Sequence, residues 1–158
     1  MPLPKSTSFA EDDVAFAGRL EQRLSRLTPD TVRQWGSMNA HEMVCHLADS
    51  FSAMLGERTT SDMGWPRWRG HLVRFIALHT PLPWPKGVKT LPEVNPHHAG
   101  TRPQQFETDH ARLLTLMRRF VAPEARYASH PMFGTMSRQE WMIWTFRHVD
   151  HHLRQFGL

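Results

Sequence analysis

The chain has 158 residues, of which 40% are hydrophobic and 22% are charged, and its formal net charge is +4. This length fits one domain with a single sizeable core, so we expect residues 1–158 to form one domain. No run of about 18 apolar residues exists, which excludes a transmembrane helix, and the single cysteine excludes an internal disulfide. We therefore expect a cytoplasmic protein without a membrane partner.

Apolar residues at helical spacing predict five helices and no strand. In chain order, the predicted helices cover roughly residues 9–27, 40–56, 66–79, 103–121 and 138–156. Capping boxes are expected where the first and last helices begin, with Ser8 and Glu11 in one and Ser137 and Glu140 in the other. Asn39 is the expected N-cap of the second helix. Five helices of three to five turns are typical of a helical bundle.

Two of these helices are predicted to open on a proline, Pro66 in the third and Pro103 in the fourth, because proline suits the first helical turn. The third helix also carries an apolar stripe, made of Trp68, Leu72, Phe75 and Ile76. The connection that follows it, residues 80–102, holds five prolines and no periodic pattern. A loop of this length either lies over the mouth of the bundle or wraps around its surface.

The last helix carries two histidines, His148 and His152, one turn apart. A helix advances about 100° per residue, so both imidazoles project from the same side and can share one metal ion. The pair lies along the border of the apolar face, where a bundle leaves a cleft. Gln155 is placed to hydrogen-bond a ligand or to orient a ring, and Trp141 points to the same side, either to pack or to contact a substrate.

The second helix carries a third histidine, His46, at a matching border of its apolar face. Glu42 and Asp49 lie within about 60° of it around the helix, so both are candidates to support the site or bind substrate. The same projection places His41 and Cys45 on the opposite, outer side of the helix. Packing the second and last helices side by side would bring His46 to the histidine pair.

Three neutral imidazoles with an open coordination position suit Zn²⁺ or Ni²⁺ in a hydrolytic or transferase centre better than in a structural one. The alternative is that each imidazole is a hydrogen-bonded core residue, since pairs of histidines arise by chance in a chain with eleven of them. The residue pattern alone leaves both interpretations open.

The segment His41-Glu42-Met43-Val44-Cys45 is similar to a zinc-protease motif in which cysteine replaces the second histidine. Because His41 and Cys45 are expected to point outward, we predict no protease site there. Cys45 is a candidate nucleophile only if it has a basic neighbour, and the sequence indicates none.

Two stretches resemble the DinB/YfiT-like superfamily, closest to an uncharacterised bacterial branch, over roughly residues 10–158. They are Trp35-Gly36-x-Met38-Asn39…Met43-Val44-x-His46-Leu47 and His130-Pro131-x-Phe133-Gly134…Glu140-Trp141…His148-x-Asp150-His151-His152-Leu153-Arg154-Gln155-Phe156-Gly157. The resemblance implies an all-α, up-down-down-up four-helix bundle with an additional short helix, often as a homodimer. It also implies a divalent metal held by His46, His148 and His152.

From the resemblance and the site pattern, we expect a metal-dependent hydrolase or thiol-dependent transferase. Its metal would activate a water or a low-molecular-weight thiol toward a small-molecule electrophile. The alternative is a non-catalytic bundle, with or without metal, that acts as a stress-response or protein-interaction module. Nucleic-acid binding ranks below both, because the positive charge is dilute and no aromatic and basic platform is present.

Overall fold

The chain folds into five α-helices and one short 3-10 helix, and contains no strand within residues 9–158. This computed structural model describes that range, apart from the side chains of residues 9–12 and 67. The α-helices are α1 (Phe9–Leu24), α2 (Ala40–Met54), α3 (Arg67–His79), α4 (Phe106–Val121) and α5 (Arg138–Gln155), and the 3-10 helix is Pro92–Val94. The all-helical prediction is confirmed.

Local capping explains where α2 and α5 begin. Asn39 Oδ1 accepts the Glu42 N–H (2.9 Å), and Glu42 Oε2 accepts the Asn39 N–H (2.8 Å). Ser137 and Glu140 form the same reciprocal pair at the start of α5, as predicted. Each box satisfies two backbone donors that a helix start leaves unpaired. The capping box predicted for Ser8 and Glu11 lies outside the described residues.

The predicted helix ends differ by up to three residues from the observed ones. α4 begins at Phe106 rather than near Pro103, because Gln105 is extended and acts as the N-cap. Pro66 likewise stands just before α3 as its cap instead of inside it. α1 ends at Leu24 and α2 at Met54, a few residues before the predicted ends. Helix ends fray, and sequence patterns locate them least reliably.

One core lies between α1, α2, α4 and α5. α2 packs on α4, and α1 packs on both α4 and α5, whereas α3 packs on α5. The largest side chains with almost no exposed surface are Trp141, Phe51, Phe120 and Leu20. Each buried side chain of this kind contributes roughly 1.5–3 kcal/mol, which holds the helices that carry the candidate site in fixed positions.

The apolar stripe predicted on the third helix is exposed. Trp68, Leu72, Phe75 and Ile76 remain between 42% and 68% accessible. The helix meets the rest of the chain through its other side, where Arg74 pairs with Glu140. No helix among the described residues combines the length and apolar character that a membrane crossing requires.

The second half of the 80–102 segment is fastened to α2 and the residues after it. The carboxylate of Asp49 accepts the N–H (2.6 Å) and the hydroxyl (2.7 Å) of Thr101. Arg58 donates to the carbonyl oxygen of Glu93 (2.8 Å) and to the hydroxyl of Thr101 (2.9 Å). These bonds hold the short 3-10 helix, which includes the buried Val94, against α2.

A buried histidine closes the turn before α5. His130 Nδ1 accepts the N–H groups of Met132 (3.1 Å) and Phe133 (3.3 Å), so its proton is on Nε2. Burial, together with the nearby positive charge of Arg74, lowers the pKa of His130 to about 3. The ring is therefore neutral at neutral pH, and a proton on Nδ1 would displace both backbone donors.

Candidate metal centre

The three histidines singled out in the sequence come together between α2 and α5. The Nε2 atoms of His46 and His148 are 3.3 Å apart. The ring centroids of His46 and His152 are 4.8 Å apart, and those of His148 and His152 are 4.9 Å apart. One ligand-capable nitrogen from each ring lies within 4.8 Å of the others. His46 is buried, and the residues His148 and His152 keep a small exposed fraction.

The tautomer of His46 is set by the backbone of the 3-10 helix. His46 Nδ1–H donates to the carbonyl oxygen of Val94 at 2.7 Å. Because a carbonyl oxygen only accepts, the ring proton must be on Nδ1, and the lone pair of Nε2 is directed toward His148. A backbone carbonyl in this role is the usual partner that orients a metal-binding imidazole.

The tautomer of His152 is set by a side-chain amide. Gln155 Nε2 donates to the carbonyl oxygen of Trp35 (2.8 Å), and its Oε1 faces His152 Nδ1 at 2.9 Å. The amide oxygen must then accept the Nδ1–H of His152, which leaves Nε2 with a lone pair. Gln155 was expected either to hydrogen-bond a ligand or to orient a ring, and this hydrogen bond to His152 supports the second role.

A glycine makes room for that amide. Gly36 has a φ of +82°, and a Cβ at this position would lie 2.4 Å from Gln155 Nε2. Any other residue would both strain the backbone and push on the group that orients His152. The Trp35-Gly36 pair therefore holds a side chain of α5 in place: the Trp35 carbonyl accepts its hydrogen bond, and Gly36 leaves room for it.

His148 is the ring with an unsatisfied nitrogen. Its Nδ1 is buried and has no hydrogen-bond partner within residues 9–158. Its ring contacts those of Trp144, at 4.6 Å, and Trp84, at 6.2 Å, measured between centroids. Its Nε2 faces the lone pair of His46, so the contact is favourable only with a proton on His148 Nε2 or with a cation between the rings.

The observed spacing fits a cation. A tetrahedral Zn²⁺ with Zn–N bonds of about 2.0–2.1 Å separates its ligand atoms by about 3.3–3.4 Å. The Nε2 atoms of His46 and His148 are already 3.3 Å apart. Two of the three rings also present a lone pair whose direction is set by a hydrogen bond on the opposite nitrogen. The donors present therefore fit a divalent ion that prefers imidazole.

Burial keeps all three rings neutral. It lowers the pKa of His46 and takes the pKa of His148 and of His152 well below the ordinary value. The neighbouring imidazoles lower the last two further, because each would repel a second positive charge. A neutral imidazole is the form that binds a metal ion.

Trp141, predicted on the histidine side, lies elsewhere. It is 1% exposed and packs in the core against Tyr127 and Phe120. A helical projection gives a direction around the axis but no height, and seven residues separate Trp141 from His148 by about 10 Å along the helix. Trp144, one turn from His148, is the tryptophan of α5 that contacts the His148 ring.

Asp49 and Glu42 do not contact the three rings. The Asp49 carboxylate is fully buried. It accepts a hydrogen bond from Thr101 and forms ion pairs with Arg58 and Arg112. It fastens the segment whose Val94 carbonyl orients His46, and its negative charge acts on the pKa of His46 in the direction opposite to burial. Glu42 is held in the capping box at the start of α2.

Aromatic and cationic residues beside the centre were missed by the sequence argument. Trp84, in the proline-rich segment, donates from Nε1 to the carbonyl oxygen of Ala77 (3.2 Å). Trp35 lies 5.9 Å from the ring of His151, and the ammonium group of Lys86 lies 4.2 Å above the Trp35 ring. Trp35 stands in one of the two stretches that carry the family resemblance, whereas Trp84 and Lys86 lie in the proline-rich loop, and their position in a loop was the signal available, since binding residues often lie on loops.

His41 and Cys45 do not point to solvent, which corrects the sequence prediction. Cys45 is completely buried, and His41 Nε2 lies 2.7 Å from Asp109 Oδ2 on α4. The helical projection of α2 gave the wrong outer face because α2 is central in the fold. Twelve of its fifteen residues are buried, and α4 covers the face that was expected to be exposed. Cys45 thus has both an imidazole and a carboxylate beside it.

The electrostatics of this second group favour a protonated thiol. Burial, and then the negative charge of Asp109, raise the pKa of Cys45 to about 12. Burial alone would raise the pKa of Asp109, but the N–H of Gln104 and the ring of His41 hold it below its ordinary value. Cys45 is therefore not a thiolate nucleophile at neutral pH.

Comparison with known protein families gives a match over most of the chain. A family described as "Protein of unknown function (DUF1569)" matches residues 17–157, a range that includes both histidine-containing groups. The searches of curated proteins and of solved structures found no match.

Proposed function

This chain belongs to the DUF1569 family, whose description assigns no function, and we propose that its three-histidine group holds a divalent metal ion in a metal-dependent enzyme. The ion is Zn²⁺ or Ni²⁺, which both prefer imidazole ligands. The reaction is the hydrolysis of a small electrophile or its transfer to a low-molecular-weight thiol.

The observation that carries this proposal is the convergence of three neutral imidazoles whose free lone pairs are oriented from outside. Val94 orients His46, and Gln155 orients His152. Buried histidines that serve only packing are hydrogen-bonded too, but here one nitrogen from each of three rings also lies within 4.8 Å of the others. A set of three protein nitrogens also leaves a coordination position for a substrate, as in catalytic rather than structural zinc sites.

A divalent ion held there supplies Lewis acidity, which makes water or a thiol a stronger nucleophile at neutral pH. Within residues 9–158, none of the hydrogen bonds of the three imidazoles goes to a carboxylate. The ligand set therefore brings no negative charge, and the site attracts an anionic group such as a thiolate. Trp84 and Trp144 contact His148, and the electrophile would approach where His148 and His152 keep a small exposed fraction.

We extend the proposal to the fold, as an up-down-down-up bundle of the DinB/YfiT kind built from α1, α2, α4 and α5. Its support is the core that these four helices share and the packing of α3 on α5. The metal ligands then come from α2 and α5, which matches the arrangement that the resemblance implies.

Metal analysis of protein purified without a histidine tag tests the metal site. We expect about one divalent ion per chain in this site, so that the metal content falls by about one ion per chain in His46→Ala and in the His148→Ala/His152→Ala double variant. His71→Ala, an exposed histidine on α3, is the matched control and should retain the metal. Unchanged metal content in both ligand variants would refute the site.

Activity is tested on the metal-loaded protein with low-molecular-weight thiols and activated electrophiles, and with esters and amides in the absence of thiol. Turnover that disappears in His46→Ala and survives in His71→Ala supports an enzyme. A metal-loaded protein that is inactive in both assay sets would favour the non-catalytic module instead.

A further inference from the structure

We propose that His41, Cys45 and Asp109 form a second divalent-cation site, selective for a borderline-soft ion such as Zn²⁺. It lies on another face of α2 from the three-histidine group, between α2 and α4. The proposal stands apart from the proposed enzyme function, because it involves none of the same ligands.

The geometry brings one ligand atom from each of the three residues within 4.8 Å of the others. His41 and Cys45 are four residues apart on α2, so both project toward α4 from one face. Asp109 lies in the first turn of α4. All three side chains therefore belong to packed helices, which hold ligand atoms more precisely than loops do.

The ligand chemistry indicates the class of cation. Sulfur, imidazole nitrogen and carboxylate oxygen together form a zinc-type donor set, whereas Ca²⁺ and Mg²⁺ require an environment made of oxygen. Binding would release the Cys45 thiol proton to solvent, and the thiolate and the Asp109 carboxylate would together balance the 2+ charge. A neutral His41 completes three ligands and leaves a fourth position for an exchangeable one.

The surroundings hold the ligands in place and leave an approach for the ion. The N–H of Gln104 donates to Asp109 Oδ2 at 3.1 Å, and the ring of Phe106 packs edge-on to His41 at 5.3 Å. The side chains of His41 and Asp109 remain 18% and 12% exposed, so an ion can reach them from solvent. Their 2.7 Å contact needs to open only to about 3.3 Å, the ligand spacing of tetrahedral zinc.

The same contacts have a simpler explanation, in which His41 and Asp109 form an ion pair between α2 and α4 and the Cys45 thiol donates a hydrogen bond to Asp109 without binding an ion. Titration with Co²⁺ separates the two, because thiolate ligation produces a charge-transfer band in the near ultraviolet that nitrogen and oxygen ligands do not. The chain has one cysteine, so any such band must come from Cys45.

We expect the folded wild-type protein to develop this band to saturation and Cys45→Ser to lack it. Support from outer groups alone is worth about 10–100-fold in metal affinity, so loss of a ligand should weaken Co²⁺ binding at least that much. His41→Ala and Asp109→Asn should each show this loss in titrations that follow the band. Glu107→Gln, an exposed acid on α4, is the matched control and should leave the titration unchanged.

Two results would overturn the proposal. One is the absence of the band at Co²⁺ excess in folded protein. The other is a band that both His41→Ala and Asp109→Asn leave unchanged, which would mean that Cys45 binds without them. Far-ultraviolet circular dichroism verifies that each variant is folded. If Asp109→Asn fails to fold, His41→Ala still tests the proposal, because His41 is partly exposed and its replacement disturbs the core less.

The two sites are distinguished by the His148→Ala/His152→Ala variant. The thiolate band should persist there, whatever happens to the metal of the three-histidine group. Loss of the band in that variant would assign Cys45 to a single shared site and would refute a separate one.

Discussion

Replacing Gln155 with alanine should weaken metal binding without removing any ligand. Gln155 is 5% exposed, and its amide connects two elements: it donates to the carbonyl oxygen of Trp35 and accepts the Nδ1–H of His152. Without the amide oxygen, the proton of His152 is free to move to Nε2, where it blocks coordination. Loss of an outer partner typically costs about 10–100-fold in metal affinity, or about 1.4–2.7 kcal/mol.

The same substitution should also lower the stability of the metal-free protein. Two groups at this position, the Nδ1–H of His152 and the carbonyl of Trp35, would lose their partner. A stranded buried polar group costs about 1–3 kcal/mol, so we expect the free energy of unfolding to fall by roughly 2–3 kcal/mol when partial relaxation is allowed.

The assay is a Zn²⁺ titration against a chromophoric chelator, together with urea unfolding in the presence of a chelator. Gln139→Ala is the matched control, because Gln139 is an exposed glutamine on the same helix. An unchanged dissociation constant for Zn²⁺ in folded Gln155→Ala would refute the orienting role, and so would an equal change in Gln139→Ala.

Three further predictions use other parts of the structure. Gly36→Ala should weaken Zn²⁺ binding in the same titration and destabilise the protein by about 1 kcal/mol or more, because its Cβ would meet the amide of Gln155 in a left-handed backbone position. His130→Asn should flatten the pH dependence of unfolding: burial lowers the folded pKa of His130 from 6.5 to about 3, so the unfolded chain takes up a proton that the folded chain rejects. Wild-type stability should therefore fall as the pH drops below about 6.5, by up to roughly 2 kcal/mol at pH 5 from this ring alone, and urea midpoints at several pH values should show a smaller loss in the variant. Asp49→Ala should cost about 3 kcal/mol in urea unfolding, because it leaves Arg58 without its buried partner and frees the backbone of Thr101; a loss under 1 kcal/mol would contradict that role.

The local sequence pattern was sufficient to predict the helices and to single out the three histidines as candidate ligands. Helical spacing predicted five helices, and the capping residues Asn39 and Ser137 located two of their beginnings, because caps are satisfied by neighbours in the chain. The pairing of His148 with His152 follows from one helical turn, which is a property of the helix itself. The placement of His46 beside them depended on the family resemblance and on two apolar borders that had to meet.

The tertiary structure alone decided what surrounds each side chain. A projection around one helix axis could not show that α4 covers the face of α2 that carries Cys45, or that Trp141 lies about 10 Å from His148 along α5. The carbonyl of Val94 and the ring of Trp84 come from a segment without periodicity, whose path depends on the buried Asp49 and on Arg58. Contacts between residues far apart in the chain are set by packing. The periodicity of apolar residues shows which face of a helix is buried, but it does not show which other element covers that face.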